Sequence, residues 1–157
     1  MKTIVLGVGN PILRDDGVGI HVARKIKEKI NNPNVVVDEA ITGGMNLLDL
    51  MTGYDKAILI DAVNIKNENV GEVLSFPLSS LSTTHSDNPH DASLMEALEL
   101  SKKLGQENIP KEIIVVGIVL KEIPYIFGEE LSPEIAKAVP RAIDLTLNEI
   151  KRDMNLR

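Results

Sequence analysis

The chain has 157 residues, 43% hydrophobic and 25% charged, a length and balance that fit one globular domain, 1–157, with a core of its own. Seventeen basic against twenty-three acidic residues leave a net charge of −6, and the aromatics are two Phe and two Tyr with no Trp, so neither the field nor the stacking surface of a nucleic-acid binder is expected. Cysteine is absent, which excludes disulfides, thiolate metal sites and a cysteine nucleophile and fits a reducing compartment; no apolar run approaches the ~18–20 residues of a transmembrane helix, so a cytoplasmic location is expected.

Along the chain, Lys2–Gly7 is a short β-branched run that Gly9-Asn10-Pro11 ends, a buried strand and its turn. Asp15-Asp16-Gly17 then opens a helix in which Val18, Val22, Ile26 and Ile30 recur every four residues, with Asp15 or Asp16 placed to cap it. Asn31-Asn32-Pro33 stops that helix. Val35–Val37 reads as a second strand, Thr42-Gly43-Gly44 as a turn, and Met45, Leu47, Leu48 and Met51 as a short helix. Lys56–Ile60 is a third strand running into Asp61. The six polar residues Asn64–Asn69 are too few for a crossover helix, so the strand Gly71–Phe76 is expected to pair antiparallel as a hairpin.

Pro77–Pro89 is a polar loop. A helix follows with Leu94, Ala97, Leu98, Ser101 and Leu104 on one stripe and Gly105 as its cap. Ile113–Leu120 is another buried strand. Ser132-Pro133-Glu134 starts the last helix, with Pro at its first position and a kink expected at Pro140. Strands alternating with helices predict an α/β three-layer sandwich: a mostly parallel sheet with one antiparallel strand and helices on both faces.

The first strand–turn–helix, Gly7-Val8-Gly9, starts like a dinucleotide fingerprint and fails at its third glycine, where Ile12 stands; two carboxylates at the helix opening oppose a pyrophosphate there. Capping accounts for one of Asp15 and Asp16 and leaves the other at the carboxyl edge of the first strand, the edge where open α/β sheets bind ligands. Asp61 occupies the same edge after the third strand, where an Asx turn is the plainer reading. His90 stands between the polar loop and the helix after it, where an exposed loop histidine with Asp91 as the N-cap is the plainer reading. His85 cannot share a helix face with His90 because Pro89 intervenes, His21 is mid-helix, and neither H-E-x-x-H nor G-x-S-x-G occurs. Asp16, Asp61 and His90 thus form a mixed oxygen and nitrogen set suited to a divalent transition metal, nickel or zinc among them, while the two carboxylates alone would suit a proton-sharing dyad.

Gly7-Val8-Gly9-Asn10 followed by Asp15-Asp16-Gly17-Val18-Gly19 resembles the opening motif of the hydrogenase maturation proteases. The likeness continues through Thr42-Gly43-Gly44-Met45, Ile60-Asp61-Ala62-Val63, Pro89-His90-Asp91 and Leu131-Ser132-Pro133-Glu134, in order and over nearly the whole chain. The resemblance implies a twisted five-stranded α/β sandwich and an endopeptidase that trims the C-terminal extension of a nickel–iron hydrogenase large-subunit precursor. It implies that Asp16, Asp61 and His90 are the catalytic and metal-contacting residues, and that the nickel arrives with the precursor, so no resident cofactor is expected. The family's Asp-x-Gly-Thr segment is not reproduced in Asp38-Glu39-Ala40-Ile41-Thr42: counting back from Thr42 aligns Glu39, residue type favours Asp38, and the role is left unassigned between them. A monomer suits an enzyme that must engage a large folded partner. The rival readings are a non-catalytic metal-binding chaperone of the same precursor, a protease of another substrate on the same fold, a nucleotide-binding module, and a hydrolase with its own ion.

Overall fold

The computed structural model describes residues 1–41, 45–80, 89–121 and 126–154. Five strands, β1 (Thr3–Val8), β2 (Val35–Ala40), β3 (Lys56–Val63), β4 (Val73–Pro77) and β5 (Glu112–Val119), form one sheet in the order β2-β1-β3-β5-β4. Among the described residues four α-helices accompany them: α1 (Val18–Lys29), α2 (Met45–Met51), α3 (Pro89–Lys103) and α4 (Pro133–Met154). The α/β sandwich read from the sequence is the observed architecture. All pairings are parallel except β4 with β5.

Alternation along the strands supplies two cores. Val5, Ile58, Ile60, Val116 and Ile118 face α1 and α4, where Val22, Ile26, Ile135 and Ala142 are buried. Ile4, Leu6, Leu59 and Val115 face the other way, onto Leu47, Leu48 and Met51 of α2 and Leu94, Ala97 and Leu98 of α3. Strands buried on both faces read as the continuous apolar runs that parallel sheets require.

Two expectations change. The antiparallel strand is β4, but it is no hairpin with β3: β5 lies between them, paired with β3 on one side and β4 on the other. The polar segment 64–72 instead carries the chain past the place β5 fills, so a short link yields an antiparallel edge strand without pairing its neighbours in sequence. β2 runs three residues further than Val37, through Asp38 and Glu39 to Ala40, because every residue from Val35 to Ala40 finds a partner in β1. α4 carries Pro140 inside a single helical span. The turn expected at Thr42–Gly44 lies outside the described residues, as does most of the loop Pro77–Pro89, of which Leu78–Ser80 form a single 3-10 turn.

Candidate active site

The sheet order places a topological switch between β1 and β3. The chain leaves β1 through α1 to β2 on one side and returns through α2 to β3 on the other, which opens a crevice at the carboxyl ends of β1 and β3. Two of the predicted carboxylates flank it.

Asp16 arrives first. Gly9 follows β1 at φ +143°, in the region that favours glycine, and a Cβ there would come within 2.1 Å of the Asp16 carbonyl oxygen. The chain then folds back on itself. The Asn10 amide donates to Asp16 Oδ2 (2.9 Å), and the Ile12 amide donates to Asn10 Oδ1 (3.2 Å). One 3-10 turn, Arg14–Gly17, carries both aspartates ahead of α1.

That turn overturns the capping expectation. Gly17 is the residue preceding α1, and no side chain caps the helix. Set one turn back, the aspartates face other donors: Asp16 holds Asn10, and Asp15 Oδ1 accepts from the Ser132 amide (2.7 Å), which ties this loop to the start of α4. Asp16 is 3% exposed, and its Oδ1 is buried with no hydrogen bond among the described residues. A buried acceptor left in that state costs on the order of 1–3 kcal/mol.

Asp61 is equally buried, at 3% exposed. It does not end its strand in an Asx turn. β3 continues through Ala62 and Val63, which pair with Ile118 and Val119, and Asp61 itself stands opposite Gly117. The β1 ladder, however, stops at the Gly7–Ile60 pair. Asp61 is therefore the first β3 residue past the end of its ladder with β1, and the turn bearing Asp16 packs against β3. By alternation with Ala57, Leu59 and Val63, Asp61 belongs to the face covered by α2 and α3.

His90 is the second residue of α3. The last turn of α3, at Lys102, shares a groove with Ile113 and Ile114 at the amino end of β5. The helix thus runs opposite to β5, and its first turn is directed toward the carboxyl edge that carries Asp61. The His90 side chain lies outside the described residues, as does His85. Among the described residues, no three His, Cys, Asp or Glu side chains form a metal-binding group.

The other candidates separate from the crevice. His21 is half-buried on α1. Glu39 is committed to Arg24 through two hydrogen bonds of 3.0 and 3.1 Å, and that carboxylate raises the guanidinium above its ordinary range despite a small opposing effect of burial. Asp38 Oδ1 accepts from the following backbone amide, of Glu39, at 2.8 Å. Both are exposed. What the sequence did not signal is the tie between Asp15 and Ser132, 117 residues apart, and the bridge that joins Leu13 to Gly128. Contacts of that span leave no local pattern.

An open, doubly wound α/β sheet with buried carboxylates at its switch point is the class these features define. A sequence profile of the hydrogenase maturation protease family matches residues 20–149, a span that contains Asp61 and His90 and begins just after the turn bearing Asp16. The coenzyme F420 hydrogenase subunit delta of Methanothermobacter thermautotrophicus is 30% identical over 157 residues, covering 95% of this chain and 94% of its own. The [NiFe] hydrogenase maturation protease HybD of Thermococcus kodakarensis superposes with a TM-score of 0.71 at 27% identity, over 94% of this chain and 98% of that one. The hydrogenase maturating endopeptidase HybD of Escherichia coli shares the fold with a TM-score of 0.79 at 24% identity, over 98% and 94% of the two chains.

The chain belongs to the hydrogenase maturation protease family, and it is an endopeptidase. No helix among the described residues is long and apolar enough to cross a membrane.

Proposed function

We propose that this endopeptidase removes the C-terminal extension of a nickel-loaded [NiFe] hydrogenase large-subunit precursor, as a cytoplasmic monomer, and that Asp16, Asp61 and His90 contact the nickel the substrate carries. The observation that supports this most is Oδ1 of Asp16, a buried carboxylate oxygen with no hydrogen bond among the described residues, at the switch point of the sheet. A cation delivered with the substrate would satisfy that oxygen. Two carboxylates and an imidazole are donors that a divalent first-row ion accepts. The chain needs no metal of its own in this scheme, because the ion is part of what is cut.

The reaction is hydrolysis. A water oxygen bonds to the scissile carbonyl carbon, the carbon–nitrogen bond breaks, and a water proton passes to the departing amine. In this reading Asp16 and Asp61 orient that water or hold the ion that polarises the carbonyl.

The test is the mass of the precursor after incubation with this protein, with nickel-loaded and metal-free precursor side by side. Loss of a C-terminal peptide from the loaded form alone, abolished in Asp16→Asn, is the expected result. Equal trimming of both forms would overturn the nickel reading. Full activity in Asp16→Asn would overturn the site, and stable binding without any mass change would make the chain a chaperone of the precursor.

A further inference from the structure

An endopeptidase must hold the polypeptide on either side of the bond it cuts, and the loop that presents Asp16 also presents an apolar surface. Ile12 is 49% exposed, Ile126 58% and Phe127 79%. Phe127 is one of only two phenylalanines in the chain, so its display is not a matter of surplus aromatic surface. Single exposed apolar residues are ordinary, whereas a cluster at the mouth of a site is not.

These residues are held together by backbone. The Gly128 amide donates to the Ile12 carbonyl (2.8 Å), and the Arg14 amide donates to the Gly128 carbonyl (2.8 Å). The bridge pairs Leu13 with Gly128 in parallel register, so Ile12 and Phe127 are the preceding register neighbours. From there the connection to the site is short: Ile12 donates to Asn10, and Asn10 donates to the carboxylate of Asp16. Asp15 fastens the far side through Ser132. The apolar pair is thus fixed relative to the buried carboxylate rather than riding on an independent loop.

We infer that Ile12 and Phe127 form a substrate-anchoring clamp that receives an apolar side chain of the precursor polypeptide next to the scissile bond, a specificity element that rests on the placement of the active site at Asp16. The occupant is the substrate chain itself, because the activity requires a polypeptide across this mouth and the clamp is joined to the carboxylate by two hydrogen bonds. A displayed aromatic with an aliphatic neighbour is the kind of anchor that carries binding energy at protein interfaces.

The experiment measures kcat and KM for trimming of the loaded precursor by wild type, Phe127→Ser, Ile12→Ser and Phe127→Leu. It also measures the affinity of precursor for Asp16→Asn with and without Phe127→Ser, which reads binding without turnover. Both targets are exposed, so thermal midpoints stay near wild type and loss of fold does not confuse the result. Each serine variant is expected to raise KM roughly tenfold or more with kcat little changed, the scale of losing an interface anchor, and Phe127→Leu to recover most of the loss. Unchanged KM in both serine variants, beside intact wild-type trimming, overturns the clamp and leaves the proposed function standing. If the wild type trims nothing, that function fails, and the affinity arm decides the clamp: weaker precursor binding by Phe127→Ser supports it, and equal or absent binding overturns it.

Discussion

Asp16 does two jobs with one carboxylate. Oδ2 closes the loop by accepting from Asn10, and Oδ1 is buried with no hydrogen bond among the described residues. That division is why Asp16→Asn is the informative variant: the amide oxygen still accepts from Asn10, while the charge is removed. Gly19 is the complementary case, where backbone approach rather than charge decides. A Cβ at Gly19 would stand 2.1 Å from the Ile60 carbonyl oxygen and 2.7 Å from that of Val8. Both are main-chain atoms of the site-forming strands and cannot swing aside. Gly19→Ala is therefore expected to lower stability by about 3 kcal/mol, read as a fall in the urea midpoint, because overpacking against backbone has no cheap relaxation. An unchanged midpoint would mean that α1 lies further from the sheet than described. Both carboxylates are legible in the sequence as residues near the carboxyl edge, since each follows a short apolar run; the continuation of β3 past Asp61 is not. Their hydrogen-bond partners were not: a capping role for Asp15 or Asp16 was the local expectation, and a partner 117 residues away, Ser132, took Asp15 instead.

At the scale of elements, the long helix α4 is clipped to the amino end of the sheet by a lysine. Lys56 opens β3 at 1% exposed and donates to the Glu149 backbone carbonyl (3.0 Å) and to Glu149 Oε2 (3.3 Å), with Glu112 Oε1 at 3.9 Å. Arg152 pairs with both of those glutamates. Removing the lysine charge would leave the two carboxylates with Arg152 as counterion and in partial contact with water, at 19% and 39% side-chain exposure. The larger consequence is volume. Lys56→Met keeps most of the buried stem and is expected to cost about 1–2 kcal/mol, whereas Lys56→Ala opens a cavity and costs about 3 kcal/mol or more. Chemical denaturation of the two variants checks the order, and equal losses would assign the clip to the ion pairs. The sequence displayed this strand but not the burial of its first residue, because a lysine before an apolar run reads as a solvated end. The edge strand β2 shows the same limit. The apolar run ends at Val37, yet Asp38 and Glu39 stay in the ladder as charged edge residues, and Asp38 accepts the Glu39 amide. A charged, partly self-satisfied edge discourages pairing with another chain.

For the whole molecule, function depends on where the chain crosses from one half of the sheet to the other. The hydrophobic pattern specified the strands, their buried faces and the parallel class, and thus the carboxyl edge as the place for a site. It did not specify that β5 would enter between β3 and β4, because those pairings join segments far apart in sequence and leave no local signal. That insertion matters for the site. With β5 in place, β3 is flanked on both sides over its first five residues and by β5 to its end, and all eight of its residues are buried. Asp61 therefore rests on a fully buried strand, while Asp16 rests on a loop that Asp15 ties to Ser132 ahead of α4. The backbone that carries these two carboxylates is held in the substrate-free chain, and native-state hydrogen exchange reads this directly. The amides of β3 and β5, including Asp61, are expected to exchange only through global unfolding. Those of β4, which has a partner on one side only, are expected to open at lower free energy. Rapid exchange at Asp61 in the free enzyme, quenched on binding precursor, would mean instead that the substrate assembles the site.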